Sequence, residues 1–134
     1  MKKELVDKLI NTYPDMFTEP GRGPNKKSTM ISNIACSDGW FDILKEVCEE
    51  IHAMRPKVQQ IKEKFGGLRF YASFPSEYSK QGWAVIRKAE EKAFETCEEC
   101  GKPGEFRVRN GWRYVSCEPC HEEYCRENPE EEYP

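Results

Sequence analysis

Histidine, long apolar runs and a surplus of charge of one sign are all scarce in this chain of 134 residues. Its 2 histidines are His52 and His121, so a general-base imidazole for phosphodiester hydrolysis is poorly supplied. A zinc-deaminase site is excluded at both of its halves. His52 is followed by Ala53 and Met54 instead of a glutamate two residues on, and after Pro119 and Cys120 the next cysteine is Cys125. No apolar run approaches the roughly 20 residues that a membrane-spanning helix needs. No secretory-signal pattern opens the sequence, which makes the cytoplasm the expected location and disulfides unexpected. A formal net charge of −3 removes global basicity as an argument for nucleic-acid binding. The balance is uneven, since residues 97–134 carry 5 basic and 10 acidic side chains and residues 1–96 carry 16 and 14.

Cysteine is what the chain does have. Of 7 cysteines, four form two Cys-x-x-Cys pairs, Cys97 with Cys100 and Cys117 with Cys120, separated by 16 residues. A two-residue spacer lets both sulfurs of a pair reach one ion, and soft thiolates suit Zn²⁺. Four sulfurs close the tetrahedron, so the expected Zn²⁺ is structural. A thioredoxin-type redox pair would be a single Cys-x-x-Cys beside a βαβ unit, which is not the pattern here. His121 and Cys125 lie near the second pair. With a complete sulfur set available, they are expected to be an exposed histidine and a packed cysteine.

The residues between the pairs support this assignment. Gly101 and Gly104 suit the tight turn after the first pair. Residues 105–109 alternate apolar and charged, Asn110-Gly111 is a strong two-residue hairpin turn, and residues 112–116 return. A helix should follow over 118–126, with Pro119 in its first turn and Glu122 and Glu123 near its positive end. Turn, hairpin and ligands on a helix start make up the treble-clef arrangement of zinc fingers.

Upstream, residues 2–13 have helical spacing of Leu5, Val6, Leu9, Ile10 and Tyr13, limited by Pro14. Residues 14–35 read as a long loop rich in proline and glycine. Within it, the stretch from Gly21 to Ser28 fails as a phosphate loop, because Lys26 stands where the second glycine is needed. Its Arg22, Lys26 and Lys27 read as solvated surface. A helix is expected over 39–54, capped by Ser37 or Asp38, with Trp40, Phe41, Leu44, Val47, Cys48 and Ile51 on its apolar stripe. Residues 57–64 and 68–74 read as two strands around Phe65-Gly66-Gly67, and 78–96 as a third helix running into Cys97. The expected fold class is α+β: N-terminal helices and a β-hairpin packed with a third helix that leads into a C-terminal four-cysteine treble-clef zinc lobe. The corresponding division is 1–96, 97–126 and an acidic tail, 127–134.

Three runs carry a resemblance: Asp38-Gly-Trp-Phe-Asp-Ile-Leu44, Ile61-Lys-Glu-Lys-Phe-Gly-Gly-Leu-Arg-Phe-Tyr71, and the Cys97 to Gly104 knuckle with its second cysteine pair. Together they resemble a group of small uncharacterised bacterial and phage proteins. The resemblance implies a prokaryotic or viral setting, with the host cytoplasm as the location if phage-encoded. The zinc lobe is also similar to the frame of His-Asn-His nucleases. Those place a catalytic histidine at the hairpin, where this chain has Arg109, Asn110 and Arg113.

The reading is a non-enzymatic, zinc-stabilised binding protein that acts on a protein partner and not on a membrane, as a regulator, inhibitor or defence-related factor does. Trp112 and Tyr114 are its candidate contact aromatics. The alternative is nucleic-acid binding through a basic 55–69 face made of Arg55, Lys57, Lys62, Lys64 and Arg69. A metal-dependent nuclease ranks third.

Overall fold

The computed structural model describes residues 1–17 and 34–129. Among these residues the architecture is α+β, with four α-helices, a three-stranded sheet and a separate two-stranded hairpin. Helix α1 spans Lys3–Thr12 and buries Val6, Leu9 and Ile10. A short 3-10 turn, Pro14–Phe17, follows and buries Met16 and Phe17. The first residues of the expected loop are thus part of the core, because two large apolar side chains here gain more from burial than a solvated loop would. Residues 18–33, with Arg22, Lys26 and Lys27, lie outside the described residues, as do residues 130–134 of the acidic tail.

The end of the expected loop is a strand. β1, Ile34–Ala35, pairs in parallel with β2, Lys57–Lys64, with Ile34 opposite Ile61. Two residues leave no alternation to detect, so only the pairing partner reveals this strand. β2 pairs antiparallel with β3, Gly67–Ser73, in the order β1-β2-β3. The β2–β3 turn holds Phe65 at φ 54° and Gly66 at φ 84°.

Helix α2, Phe41–Ile51, is preceded by a 3-10 turn over Asp38–Trp40. Its stripe of Phe41, Leu44, Val47, Cys48 and Ile51 is buried, joined by Ile43. Ser37 sits at the cap position but bonds elsewhere, its hydroxyl donating to Glu99 Oε1 at 3.1 Å. Helix α3, Ser79–Ala93, packs on α2 and β3 through Ile86, Ala89 and Ala93. Inward-facing Val58, Ile61, Leu68, Phe70 and Ala72 complete one core with Trp40 and the helices. Gly82 lets α3 lie against Phe74, since a Cβ there would strike its ring. No helix among the described residues is long and apolar enough to cross a membrane.

Glu90 on α3 accepts a hydrogen bond from the Phe70 N–H at 3.2 Å, tying helix to sheet. Burial raises its carboxyl above the ordinary value, outweighing that N–H and the nearby Arg69 and Arg87, which lower it. The folded state therefore holds the Glu90 proton more tightly than the unfolded chain. The charge lowers stability at neutral pH, and this cost fades as pH falls through the folded pKa. Glu90→Gln is expected to raise the urea midpoint at neutral pH, with the gain disappearing on acidification. A midpoint difference that is flat with pH would contradict this account.

Candidate metal centre and binding surfaces

β4, Glu105–Arg109, and β5, Trp112–Ser116, form the C-terminal hairpin, and α4, Glu118–Glu127, follows. Asn110 at φ 53° and Gly111 at φ 78° make the two-residue turn that the Asn-Gly pair favours. Ahead of the hairpin the chain folds into a knuckle. Cys97 N–H donates to the Lys102 carbonyl at 2.7 Å and Gly101 N–H to the Cys97 carbonyl at 2.9 Å. Gly101 adopts φ 81°, which a side chain would strain. Cys117 caps α4 and Cys120 lies in its first turn, so the knuckle and the helix start present their sulfurs to one point.

The ligand atoms of Cys97, Cys100, Cys117 and Cys120 all lie within 4.8 Å of one another. The Sγ atoms of Cys100 and Cys117 are 3.5 Å apart, and all seven cysteines are free of disulfides. Zinc–sulfur bonds of about 2.3 Å in a tetrahedron put sulfurs about 3.8 Å apart, so this set fits a four-coordinate divalent ion. Electrostatics agree. The Cys120 N–H draws the Cys117 thiol down to about 7. Burial and the neighbouring sulfurs push the Cys120 thiol up. Four crowded thiols cannot all ionise without a cation between them.

His121 and Cys125 stand outside this cluster. The Tyr114 hydroxyl meets His121 Nδ1 at 2.9 Å, and the Cys125 sulfur lies 3.7 Å from His121 Nε2. Both side chains are half-buried.

The metal lobe is joined to the main core at two glycine contacts. Gly39 N–H donates to the Glu98 carbonyl at 2.6 Å, and a Cβ on Gly39 would collide with the carbonyl oxygens of Cys97 and Glu98. Trp40, fully buried, donates its indole N–H to the Thr96 carbonyl at 3.0 Å. At the second contact a Cβ on Gly66 would come within 2.8 Å of the Phe106 ring, and one on Gly67 within 2.8 Å of Phe94. The sequence runs 38–44 and 61–71 thus supply the seam on which the knuckle and hairpin rest.

The structure divides the proposed basic residues. Lys62 faces Arg69 across the β2–β3 ladder, and the Lys62 ammonium lies 6.0 Å from the Tyr71 ring. Lys64 lies by the β2–β3 turn with its ammonium over Phe65. Arg55 instead pairs with Glu77 at 3.4 Å, and Lys57 donates to the Asp15 carbonyl at 2.8 Å. Of the two aromatics expected at the surface, Trp112 is 60% exposed. Tyr114 is half-buried, stacked on His121 and packed 5.0 Å from the Tyr124 ring, which corrects its reading as an exposed contact residue. Its place on β5 opposite α4 turns it inward, a tertiary pairing that strand alternation alone does not specify.

Sequence reasoning missed an apolar surface patch. Phe65, Phe94, Phe106 and Val108 are exposed large hydrophobics. The Phe94 and Phe106 rings meet edge-on at 5.8 Å, and Val108 lies two residues along β4 from Phe106. The alternation of Phe106 and Val108 is visible in the sequence, but alternation alone does not say which face is turned to solvent. Compared with known proteins, the chain matches no family model, no curated protein and no solved structure.

Two outcomes are expected for this centre. Gly39→Ala should lower stability by roughly 1–3 kcal/mol through overpacking of the seam, read from urea midpoints. Cys117→Ser should lose the bound metal and raise amide exchange over 97–125. Unchanged exchange in that variant, with chelator present, would rule out a structural role for the cluster.

Proposed function

We propose that the protein is a non-enzymatic binding protein in which a structural Zn²⁺, held by Cys97, Cys100, Cys117 and Cys120 in a treble-clef lobe, stiffens a surface for a protein partner. The single observation that carries this reading is the apolar patch of Phe65, Phe94, Phe106 and Val108, with Val108 60% exposed. Contiguous exposed apolar side chains of this size mark contact sites more often than they mark bare surface. A sulfur-closed ion offers no open position for substrate, so its contribution is to folding, on the order of 10 kcal/mol at neutral pH. The role of regulator, inhibitor or defence-related factor in a bacterial or phage setting belongs to the same proposal.

A second reading, nucleic-acid binding, rests on Lys62, Arg69 and Tyr71 sharing the outer face of the β2–β3 pair, with Tyr71 38% exposed. Cation and ring together suit a phosphate backbone and a stacked base.

Val108→Asp tests the first reading, since this exposed site should leave the metal content and melting temperature unchanged. Affinity capture with the wild-type protein is expected to retain specific proteins that the variant loses. Identical captured sets would count against the patch. For the second reading, two phosphate contacts predict an affinity loss of about tenfold between about 50 and 200 mM salt. Absence of retention on DNA and RNA at low salt would dispose of it.

A further inference from the structure

β4 has one edge paired with β5 and one edge turned away from it. With Arg109 opposite Trp112 at a two-residue turn, Glu105, Arg107 and Arg109 exchange hydrogen bonds with β5, and the backbone groups of Phe106 and Val108 point outward. The outer edge is closed at its start, where the Gly104 N–H donates to the Glu95 carbonyl at 2.9 Å and Thr96 bridges to Pro103. Beyond that point it is open. The N–H and carbonyl groups of Phe106 and Val108 have no backbone partner among the described residues. Both residues are exposed, Phe106 at 44% and Val108 at 60%.

An open strand edge is a template for pairing with another chain, and folded proteins blunt such edges with proline, lysine or a bulge. β4 has none of these. It reads Glu105-Phe-Arg-Val-Arg109, and its register with β5 is unbroken. A two-stranded hairpin is also marginal by itself, and further strands stabilise it. The strand is, moreover, complementary to a second copy of itself. With two copies antiparallel about Arg107, Phe106 of each lies opposite Val108 of the other, which is the register that pairs all the outward backbone groups. Glu105, its side chain 82% exposed, then lies opposite Arg109. Arg107 lies opposite its own copy, but Glu118 at 3.2 Å and Glu105 at 3.9 Å already offset its charge. Centring on Val108 would set Arg107 against Arg109, and centring on Phe106 would run the second copy into Glu95. About Arg107, the second copy turns off at Asn110-Gly111, where the closed part of the edge begins.

We propose that a second copy of this chain pairs antiparallel with the open edge of β4, giving a two-fold dimer whose sheet runs β5-β4-β4-β5. This rests on the reading of the apolar patch as a protein contact and names its partner. Phe106 and Val108 of both copies sit side by side on one sheet face, so the two patches join into one apolar band across the axis. The opposite charges of Glu105 and Arg109 fix the register. The interface is small, so the dissociation constant is on the order of 100 μM and the chain is a monomer at low micromolar concentration.

The test uses the zinc-loaded full chain in sedimentation equilibrium from ~10 μM to ~1 mM. A monomer–dimer equilibrium is expected, with amide exchange at Phe106 and Val108 slowing as concentration rises. In a mixture of labelled and unlabelled chains, Overhauser contacts are expected between the Phe106 ring of one copy and the Val108 methyls of the other. Val108→Asp, its fold checked by zinc content and an otherwise unchanged amide spectrum, should abolish the dimer. Glu105→Lys should weaken it by about tenfold, because the lost pair occurs on both sides of the axis. A monomer at every concentration, a dimer that Val108→Asp leaves intact, or exchange at Phe106 and Val108 that ignores concentration would each overturn the proposal. If the chain stays monomeric while Val108→Asp still loses captured proteins, the self-pairing falls and the protein-binding reading stands. If the chain pairs as described while capture is insensitive to Val108→Asp, the dimer stands and capture of a different protein through the patch is what fails.

Discussion

Four sulfurs within 4.8 Å of one another cannot all be thiolates unless a cation sits among them, and the C-terminal part of the structure is built around that constraint. The knuckle turn brings Cys97 and Cys100 to one side. The first turn of α4 brings Cys117 and Cys120 to the other. The Cys120 N–H favours the ionised form of Cys117, which lowers the cost of assembling the ligand set. The lobe itself has little other means of staying folded. Among residues 105–127 only Val115, Ser116 and Cys117 are buried, so apolar burial contributes little there.

The lobe is nonetheless not an appendage. Gly39 and Gly101 allow two backbones to approach closely, and Gly66 and Gly67 admit the Phe106 and Phe94 rings. Trp40 spans the seam, its ring in the core and its N–H on the Thr96 carbonyl. The seam explains why the most distinctive stretches outside the cysteines, 38–44 and 61–71, mix glycines with large aromatics. Close packing needs the small residue on one side and the bulky one on the other. What remains outward-facing near the seam is the apolar patch at Phe106 and Val108, held by that rigid join.

The repeating parts of the fold were legible residue by residue. The stripes of α1 and α2, the strand over 68–74 and the Asn110-Gly111 turn each follow from local periodicity or turn chemistry. The division of the basic residues was not legible, because Arg55 and Lys57 find Glu77 and Asp15, partners 22 and 42 residues away. The same holds for Tyr114, whose neighbours His121 and Tyr124 come from another element.

The sequence by itself determined the helices, the hairpins and the metal-ligand set, because spacing of apolar residues, Asn-Gly turns and paired cysteines act over a few neighbours. Only the tertiary structure decided that Ile34 and Ala35 are a strand, that Phe106 and Val108 face outward, and that Glu63 joins Glu98 and Glu99 beside β5. Those outcomes depend on which distant segment lies alongside, and a two-residue strand or a lone carboxylate carries no periodic signal from which that neighbour can be read.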